Sequence, residues 1–423
     1  MVKVESTKKA VELPIVISLE IVIVSASPGI AEAFNKHVVY AGTISGSTTT
    51  LTGNIAYMTS CTPQTSPNCT TTQTISALSD FCKADTDIDF PAEVYSIYFY
   101  EPPSRPNEAY AYDATTGLTT SGPYPPGNGV LYASPNDYTF QDTTIDYSFY
   151  VKDKNGNAAN VTFTTSTGAI QILDIVKADT ITISKDITIG SSTAFFVDST
   201  FTIDATLNNI TITGGDLIIQ SEPTVDFIDA NNNNNITING AVCCDTGIDF
   251  NYANLTIDPS AGAGSSRKAA ILIKSTGAAT LTIGATPPTI TLGPKQKSAI
   301  LAYSSGGAIT VNIDGNLNPS FKNQAAVIAC TGSAGGNATV NIGANVNNLV
   351  YAYSSAVAPT EGKIVLNTGN VEGALVANGT VTLNGGTLGW DSSVYKSSTY
   401  PLYGNFSGGR RVYLLVPGSW KEE

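Results

Sequence analysis

Histidine, charged residues and paired metal ligands are scarce in this chain of 423 residues. It has one histidine, His37, and 13% charged residues, about half the usual share. A single imidazole argues against most catalytic triads, and the lack of any Cys-x-x-Cys pair argues against a zinc site. The 21 basic residues are outnumbered by 34 acidic ones, so the net charge is −13. The chain therefore lacks the excess of basic residues that binding to nucleic acid requires.

Long apolar runs are also scarce, and the most prominent one lies between Val11 and Val24. It is shorter than the roughly 20 apolar residues of an ordinary spanning helix, and Glu20 interrupts it. Three interpretations stay open: a pilin-type assembly helix, a secretory signal cleaved near Ala26, and a segment packed in a globular core. The assembly helix would use Leu13, Ile15, Ile17, Leu19, Glu20, Ile21 and Ile23.

The second half of the chain carries a degenerate repeat of short apolar strands separated by Gly, Asn and Ser. Matching apolar triplets begin at Ile271, Ile300, Val327, Leu349 and Ala374, in steps of 29, 27, 22 and 25 residues. Such self-similarity is typical of stacked units that cannot bury their apolar faces alone. We therefore predict a mainly β fold, a parallel β-solenoid (β-helix) with a short N-terminal hydrophobic helix and an inserted β module.

The composition along the chain indicates five parts. They are an N-terminal hydrophobic helix (1–35), first β rungs (36–84), a Tyr- and Pro-rich β module (85–165), the β-solenoid (166–395) and a C-terminal capping strand (396–423). In the third part, Asn155-Gly156 lies between two alternating segments and predicts a β-hairpin. The surrounding Asp153–Asn157 also looks calcium-like, but a turn explains it better.

Six cysteines in a chain rich in Thr and Asn fit an oxidising compartment. Cys61, Cys69 and Cys82 are close enough in sequence to pair among themselves, and the alternative is six free buried thiols. The adjacent Cys243 and Cys244 are better explained as two unpaired core thiols than as a strained vicinal disulfide.

The chain contains eight Asn-x-Ser/Thr triplets, which are acceptor sites for glycans in secreted proteins. They are centred on Asn68, Asn160, Asn209, Asn235, Asn254, Asn337, Asn378 and Asn405. A composition this rich in Asn and Thr also produces such triplets by chance, so both explanations stay open.

Carboxylates are the only side chains that suggest chemistry. Enzymes built on β-helices place acidic residues on one exposed sheet. The candidates here are Asp245, Asp249, Asp314 and Asp391, but no two share a strand at a spacing that brings both to one face. We therefore predict that the protein is not an enzyme. No cofactor is expected, although Asp85, Asp87 and Asp89 would suit calcium if they are more than a solvated strand face.

Three segments together resemble one family, the PilX-type minor pilins of type IV pili. Lys9–Ile17 is similar to their "KGVALPIVL" opening, and also to archaeal pilins that open "KKAVSPIVA". Ala374–Thr387 resembles the "GALVANGNVTLNGG" style of rung in their β-solenoid heads, and Pro417–Glu422 resembles their terminal "SWREV". The likeness covers both ends and the repeat region.

The resemblance implies an extracellular, cell-surface filament subunit with an outward-facing head. Its partners would be copies of itself, other pilins and a cell or mineral surface, with no nucleic acid and a membrane only before assembly. The alternative is a secreted β-solenoid adhesin or sheath protein with a cleaved signal. In that case the Tyr-rich module between Asp85 and Thr165 binds a surface or a sugar.

Overall fold

The computed structural model describes residues between His37 and Gly389. The described residues are 37–46, 49–52, 54–61, 69–71, 129–132, 137–140, 144–145, 148–153, 155–164, 170–221, 223–228, 233–252, 254–262, 265–267, 269–293, 295–296, 298–317, 326–332, 334–347, 349–356 and 359–389. The predicted assembly helix, the capping strand, Asp85, Asp87, Asp89 and Asp391 lie outside them.

The described residues form 33 β-strands and no helix, which confirms the prediction of a mainly β fold. In chain order the strands are β1 His37–Gly46, β2 Thr50–Thr52, β3 Asn54–Cys61, β4 Cys69–Thr71, β5 Gly129–Tyr132, β6 Asp137–Phe140, β7 Thr144–Ile145, β8 Phe149–Lys152, β9 Asn160–Phe163, β10 Ile170–Ile172, β11 Val176–Ile183, β12 Ile187–Ile189, β13 Phe195–Asp204, β14 Ile210–Thr213, β15 Leu217–Gln220, β16 Thr224–Ile228, β17 Ile236–Ile238, β18 Val242–Cys244, β19 Ile248–Phe250, β20 Leu255–Ile257, β21 Ala269–Ser275, β22 Ala279–Ile283, β23 Thr289–Ile290, β24 Ser298–Ser304, β25 Ile309–Ile313, β26 Ala326–Thr331, β27 Ala338–Ile342, β28 Leu349–Ser354, β29 Gly362–Leu366, β30 Asn370–Glu372, β31 Ala374–Ala377, β32 Thr380–Leu383 and β33 Thr387–Gly389.

The strands pair in parallel and line up in three ladders. The first ladder runs from β5 and β8 through the beginnings of β11 and β13 to β15, β18, β21, β24, β26, β28 and β31. The second contains β6, β9, the ends of β11 and β13, β16, and then β19, β22, β25, β27, β29 and β32. The third contains β7, β10, β12, β14, β17, β20 and β23, with β30 and β33 in a separate small sheet.

The chain visits the ladders in a fixed order, and we call each round a circuit; β11 and β13 each pass through the first and second ladders as one strand. β15, β16 and β17 make one circuit, and β18, β19 and β20 make the next. Side chains that alternate inward form one continuous apolar core along all circuits, with members from Val39 to Leu388. Phe140 and Phe163 stack inside it with ring centroids 5.4 Å apart. Each circuit therefore buries its apolar side against the circuits on either side of it.

The first strands of the chain lie beside the last ones. β1 pairs in parallel with β31 and β32, which brings Val39 opposite Leu375, and β2 pairs with β33. β3 and β4 then extend the first ladder beyond β1. The sequence predicts these strands as first rungs, whereas the strands that begin the stack at the other end are β5, β6 and β7. Pairing depends on matching core-facing side chains and register, so order in the sequence does not decide it.

The Asn155-Gly156 turn is present, but the predicted hairpin around it is wrong. Gly156 has a φ of +87° and donates its backbone N–H to Asp153 O, as a tight turn requires. The antiparallel pairing beside the turn is a single bridge between Lys152 of β8 and Ala158, which lies before β9. β8 and β9 instead each pair in parallel with β11, so this region joins the same ladders as the circuits that follow it.

In the last two copies of the repeat, the residues that pair across the strands lie one position later than the first residues of the apolar triplets. Ile271, Ile300 and Val327 lie opposite one another, as the triplets predict. The next partners are Val350 and Leu375, not Leu349 and Ala374. A shift of one residue turns a side chain to the other face of a strand, so the apolar triplet by itself did not identify which residues enter the core.

Buried hydroxyl groups form the corner between the first and second ladders. Ser275, Ser304, Thr331 and Ser354 lie opposite one another and are all nearly fully buried. Ser304 Oγ accepts a hydrogen bond of 2.9 Å from Gly307 N, and Thr331 Oγ1 donates one of 2.8 Å to Gly336 O. These side chains satisfy the backbone groups that the ladders leave unpaired where the chain turns.

Candidate functional surfaces

The outward positions of the second ladder form a grid of mainly neutral polar side chains, in which Lys363 and Val365 are the exceptions. Two rows run across its strands: Thr280, Thr310, Thr339, Lys363, Thr380 and Thr43, and beside them Thr282, Asn312, Asn341, Val365, Thr382 and Ser45. Strand geometry sets the spacing at ~4.8 Å between strands and ~6.6 Å along each strand. Threonine suits these positions because its branched side chain packs well on a pleated surface.

Hydrogen bonds between neighbouring strands align part of this grid. Asn341 Nδ2 donates to Asn312 Oδ1 at 2.8 Å, and Asn312 Nδ2 lies 3.5 Å from Thr282 Oγ1. The outward positions of the third ladder carry a similar file of threonines, in which Thr188 and Thr213 hydroxyls lie 3.2 Å apart. Such a surface offers donors and acceptors at a fixed repeat, which suits neutral hydroxyl- or amide-rich partners.

The outer side of the first ladder is different, because it is apolar and buried. Ile218, Cys243, Leu272, Leu301, Ile328, Tyr351 and Val376 lie opposite one another on successive strands, and we call them the outer apolar row. Their strand neighbours Ile271 and Ile273 belong to the core, so Leu272 points the opposite way. Every member of the row is nevertheless at most 4% exposed.

Sequence reasoning missed this row, although a signal for it was present. Strands of the first ladder read as unbroken apolar runs, such as Ala269–Ile273, while strands of the second ladder alternate. An unbroken run indicates a strand buried on both faces, and alternation indicates one solvated face. The apolar triplets of the repeat were interpreted as a core signal alone.

Charged side chains cluster at two places on the first ladder. Arg267 Nε lies 3.2 Å from Asp216 Oδ2, and both side chains are mostly buried. Near the opposite end, the ammonium groups of Lys152 and Lys177 lie 4.9 and 4.8 Å from the ring centre of Tyr150. Burial, followed by the neighbouring Lys177, lowers the pKa of Lys152, and burial raises the pKa of Tyr150, with Asp198 and Asp179 adding to the effect.

The acidic residues proposed for catalysis have separate surroundings. Asp245 Oδ2 accepts a hydrogen bond of 2.8 Å from Ser221 N and so links the ends of the neighbouring strands β15 and β18. Asp249 is exposed on the second ladder opposite Thr282, and Asp314 follows β25, two strands further along. Strand geometry separates the Cα atoms of Asp249 and Asp314 by roughly 12 Å.

Metal ligands do not gather in the part of the chain that the structure describes, where no group of three or more His, Cys, Asp or Glu could hold an ion. The calcium-like Asp153–Asn157 segment is a turn, as the sequence favours. Asp153 Oδ1 accepts 2.8 Å hydrogen bonds from the backbone N–H groups of Asn155 and Asn157. The hydrogen bond from the Asn157 side chain is the main reason that the pKa of Asp153 lies below its usual value.

The candidate glycan acceptors fall into different environments. Asn209 and Asn235 are exposed at the edge of the third ladder, where Asn209 Oδ1 accepts a 2.8 Å hydrogen bond from Asn235 N. Asn378 instead has a structural role, since its Nδ2 donates to Ser354 O at 2.7 Å and its Oδ1 accepts from Gly362 N. Asn160, Asn254 and Asn337 are half-buried, and Asn68 and Asn405 lie outside the described residues.

Two kinds of cysteine occur in the described residues. Cys243 and Cys244 are free and buried, which confirms the prediction of two unpaired core thiols. Burial raises the pKa of Cys243 to about 12 and raises that of Cys244 well above its usual value. Cys61 and Cys330 are each in a disulfide bond, so the alternative of six free thiols is wrong.

Comparison with known proteins finds no protein family, curated protein or solved structure that matches this chain. No helix that could cross a membrane occurs in the part of the chain that the structure describes.

Proposed function

We propose that this protein is a structural subunit of an extracellular cell-surface filament of the type IV pilus kind. The N-terminal segment assembles with copies of itself, and a β-solenoid head is displayed outward. The observation that carries this proposal is the position of β1, which enters the stack beside β31 and β32. A segment attached before His37 holds the head near one end, where only β3 and β4 lie beyond β1, and β5 then lies roughly 50 Å away from β1 at the other end.

The three parallel ladders support a solenoid head of this kind. Each circuit rests on its neighbours over a shared apolar core, so in this proposal the head is a stiff rod. The outward side chains of the second and third ladders are mainly Thr and Asn, whose hydroxyl and amide groups keep these surfaces hydrated although they carry no charge. Identical contacts repeated from one subunit to the next through the N-terminal segment build an open filament rather than a closed ring.

The first test is the N-terminal residue of the native protein, determined by mass spectrometry of material sheared from cells. A start near Lys8 to Val11, with Leu13–Val24 retained, is expected for the filament subunit. A start after Ala26 contradicts it, because the assembly residues would then be absent from the mature protein.

The second test separates assembly from folding with a matched pair of full-length variants. Ile17→Asp places a charge in the assembly segment, and Thr282→Asp places the same charge on the outward grid of the second ladder. We expect Ile17→Asp to remove the protein from the sheared filament fraction, with the β-sheet circular dichroism unchanged. Thr282→Asp should leave both unchanged. Filaments formed normally by Ile17→Asp would contradict the proposal.

A secreted β-solenoid adhesin or sheath protein is the second candidate, and the grid of the second ladder favours it. Thr280, Thr310 and Thr339 present neutral hydroxyls at a fixed repeat, which matches the hydroxyl groups of a polysaccharide. Binding to insoluble polysaccharides that is lost in Thr310→Lys, together with a mature start after Ala26, would favour this candidate over the filament subunit.

A further inference from the structure

Three of the Asn-x-Thr triplets lie in register at the corner that leads into the third ladder. Asn209, Asn235 and Asn254 directly precede the neighbouring strands β14, β17 and β20, whose first residues lie opposite one another. Asn209 and Asn235 are exposed, whereas Asn254 is half-buried. We call Asn209 and Asn235 the acceptor pair, because the fold presents both of them at one edge of the stack.

The alternation of the third-ladder strands directs these two triplets outward. Their middle residues, Ile210 and Ile236, are fully buried in the core. Successive side chains of an extended segment point to opposite faces, so the asparagine before each isoleucine and the threonine after it point away from the core. Thr211 and Thr237 are accordingly half-exposed and lie opposite each other. The amide and the hydroxyl that together define a glycan acceptor are therefore on the same outward side.

The fold uses only one half of the Asn209 amide. Asn209 Oδ1 accepts a 2.8 Å hydrogen bond from Asn235 N, which links β14 to β17. Asp186 Oδ1 makes the same kind of link to Thr211 N at 2.6 Å, so an acceptor oxygen is all that this position requires. The Nδ2 atoms of the acceptor pair make no hydrogen bond with any residue that the structure describes. Both amide nitrogens are therefore available for modification without loss of a contact.

Asn378 belongs to the same kind of triplet but has the opposite surroundings. Its Nδ2 donates to Ser354 O at 2.7 Å, and its Oδ1 accepts from Ser354 N and Gly362 N at 3.1 and 2.8 Å. The hydroxyl of the triplet, Thr380 Oγ1, donates to Glu361 Oε1 at 2.9 Å. Both polar groups are therefore engaged within the fold, and a sugar on Nδ2 would displace the bond to Ser354.

We propose that the acceptor pair carries an N-linked glycan, on Asn209, on Asn235 or on both, and that Asn378 carries none. The donor is an oligosaccharide joined through C1 of its first sugar to a lipid phosphate or pyrophosphate. A bond forms between Nδ2 and C1, and the C1–O bond to the phosphate breaks. The phosphate leaves with the electron pair of that bond, and a base of the transferase takes the amide proton.

A glycan at this corner covers the adjoining threonine file of the third ladder with hydrated sugar. Since a glycan is bulky, it keeps that face from packing against another subunit. This inference rests on the extracellular location that the filament subunit and the secreted adhesin or sheath protein share. It does not require that the protein form filaments.

Glycopeptide mapping of the native protein in material sheared from cells tests the sites. Asp-N protease with trypsin releases Asn209 in Asp204–Gly215, Asn235 in Asp229–Cys244 and Asn378 in Ile364–Trp390. We expect sugar masses on one or both of the first two peptides, located on the asparagine by fragmentation, and the third peptide at the mass of its sequence alone. Unmodified masses for both of the first two peptides, or sugar on Asn378, would overturn the proposal.

The N-terminal residue measured on the same sample separates this inference from the filament proposal. Sugar on the acceptor pair of a protein that starts after Ala26 supports the glycan and contradicts the filament subunit. A protein that retains Leu13–Val24 but carries no sugar on the pair supports the filament subunit and overturns the glycan.

A matched pair of double variants, made in the native host, tests whether the triplets direct the modification. Thr211→Val with Thr237→Val removes both hydroxyls at nearly constant volume, and Thr211→Ser with Thr237→Ser keeps them. We expect the intact mass of the valine variant to lose the sugar of the acceptor pair, and the serine variant to retain it. The same sugar in both variants would overturn the assignment.

Circular dichroism should show the same β-sheet content in both variants, because neither threonine hydroxyl bonds to a residue in the part of the chain that the structure describes. If the valine variant does not fold, Asn209→Asp with Asn235→Asp takes its place. That variant keeps the acceptor oxygen at each position and removes only the amide nitrogen, so it should fold and lack the sugar.

Discussion

Ser45 donates a hydrogen bond from Oγ to Thr382 Oγ1 at 3.4 Å, although 337 residues separate them in the chain. The bond lies on the outward grid of the second ladder, where β1 continues the pattern of β32. Two stretches at opposite ends of the described chain therefore form neighbouring circuits. Contacts this distant in sequence make the junction between β1 and β32 a sensitive place to test the fold.

Gly46→Ala should weaken this junction. Gly46 has a φ of +115°, and a Cβ there would lie 1.9 Å from Leu383 O. We expect a loss of about 2 kcal/mol or more in the free energy of unfolding, because both the backbone conformation and the contact exclude a side chain. Hydrogen exchange should rise first in β1. Gly277→Ala is the control, since a Cβ at Gly277 meets nothing within 4 Å; equal effects of the two would contradict the prediction.

Arg267→Met should destabilise three successive circuits. Asp216 Oδ2 contacts Arg267, and Asp216 Oδ1 accepts a 2.9 Å hydrogen bond from Ala241 N. Loss of the cation leaves a mostly buried carboxylate without its partner, at a cost of about 2–3 kcal/mol measured by denaturant unfolding. Lys363→Met removes a more exposed ion pair to Glu361 and should cost under about 0.5 kcal/mol. Similar losses in the two variants would argue against a special role for Arg267.

Cys243 and Cys244 should resist alkylation in the folded protein. At pH 8 a thiol whose pKa is raised to about 12 is almost wholly protonated, and both side chains are buried. Iodoacetamide should label neither until the protein unfolds, after which mass spectrometry should find both modified. Rapid labelling under native conditions would mean that the first ladder opens.

The same thiols make stability fall at high pH. In the unfolded chain they ionise near pH 9, whereas in the folded protein Cys243 stays neutral until about pH 12. The unfolded state therefore releases protons first as the pH rises, and the free energy of unfolding decreases across that window. Cys243→Ala should lessen the decrease seen in denaturant titrations between pH 8 and 11.

Asp153→Ala should weaken the turn between β8 and β9 and change the response to acid. The folded-state pKa of Asp153 is depressed, chiefly by the hydrogen bond from the Asn157 side chain. Its contribution to stability is therefore present above the unfolded pKa near 4 and is lost as the pH falls through the lower folded value. The difference between the thermal unfolding temperatures at pH 7 and pH 2.5 should be smaller in this variant than in wild type. Asp249→Ala, at an exposed position, is the control and should behave like wild type.

Local patterns in the sequence identified several features correctly. Alternation in Thr180–Ile183 predicted a strand with one core face, and Ile181 and Ile183 are fully buried. The adjacency of Cys243 and Cys244 was correctly attributed to unpaired thiols. These features depend on a few neighbouring residues, because side-chain alternation and the geometry of adjacent cysteines are local properties.

The sequence by itself therefore determined the class of fold, the repeat and the positions of most strands. The tertiary structure alone decided that β1 follows β32, that Val350 and Leu375 enter the core, and that the first ladder is buried on both sides. Each β-strand carries the same alternating pattern, so its own residues cannot specify which strand it meets or what lies over its outer face. Register and order along the stack arise only when all the circuits pack around one core.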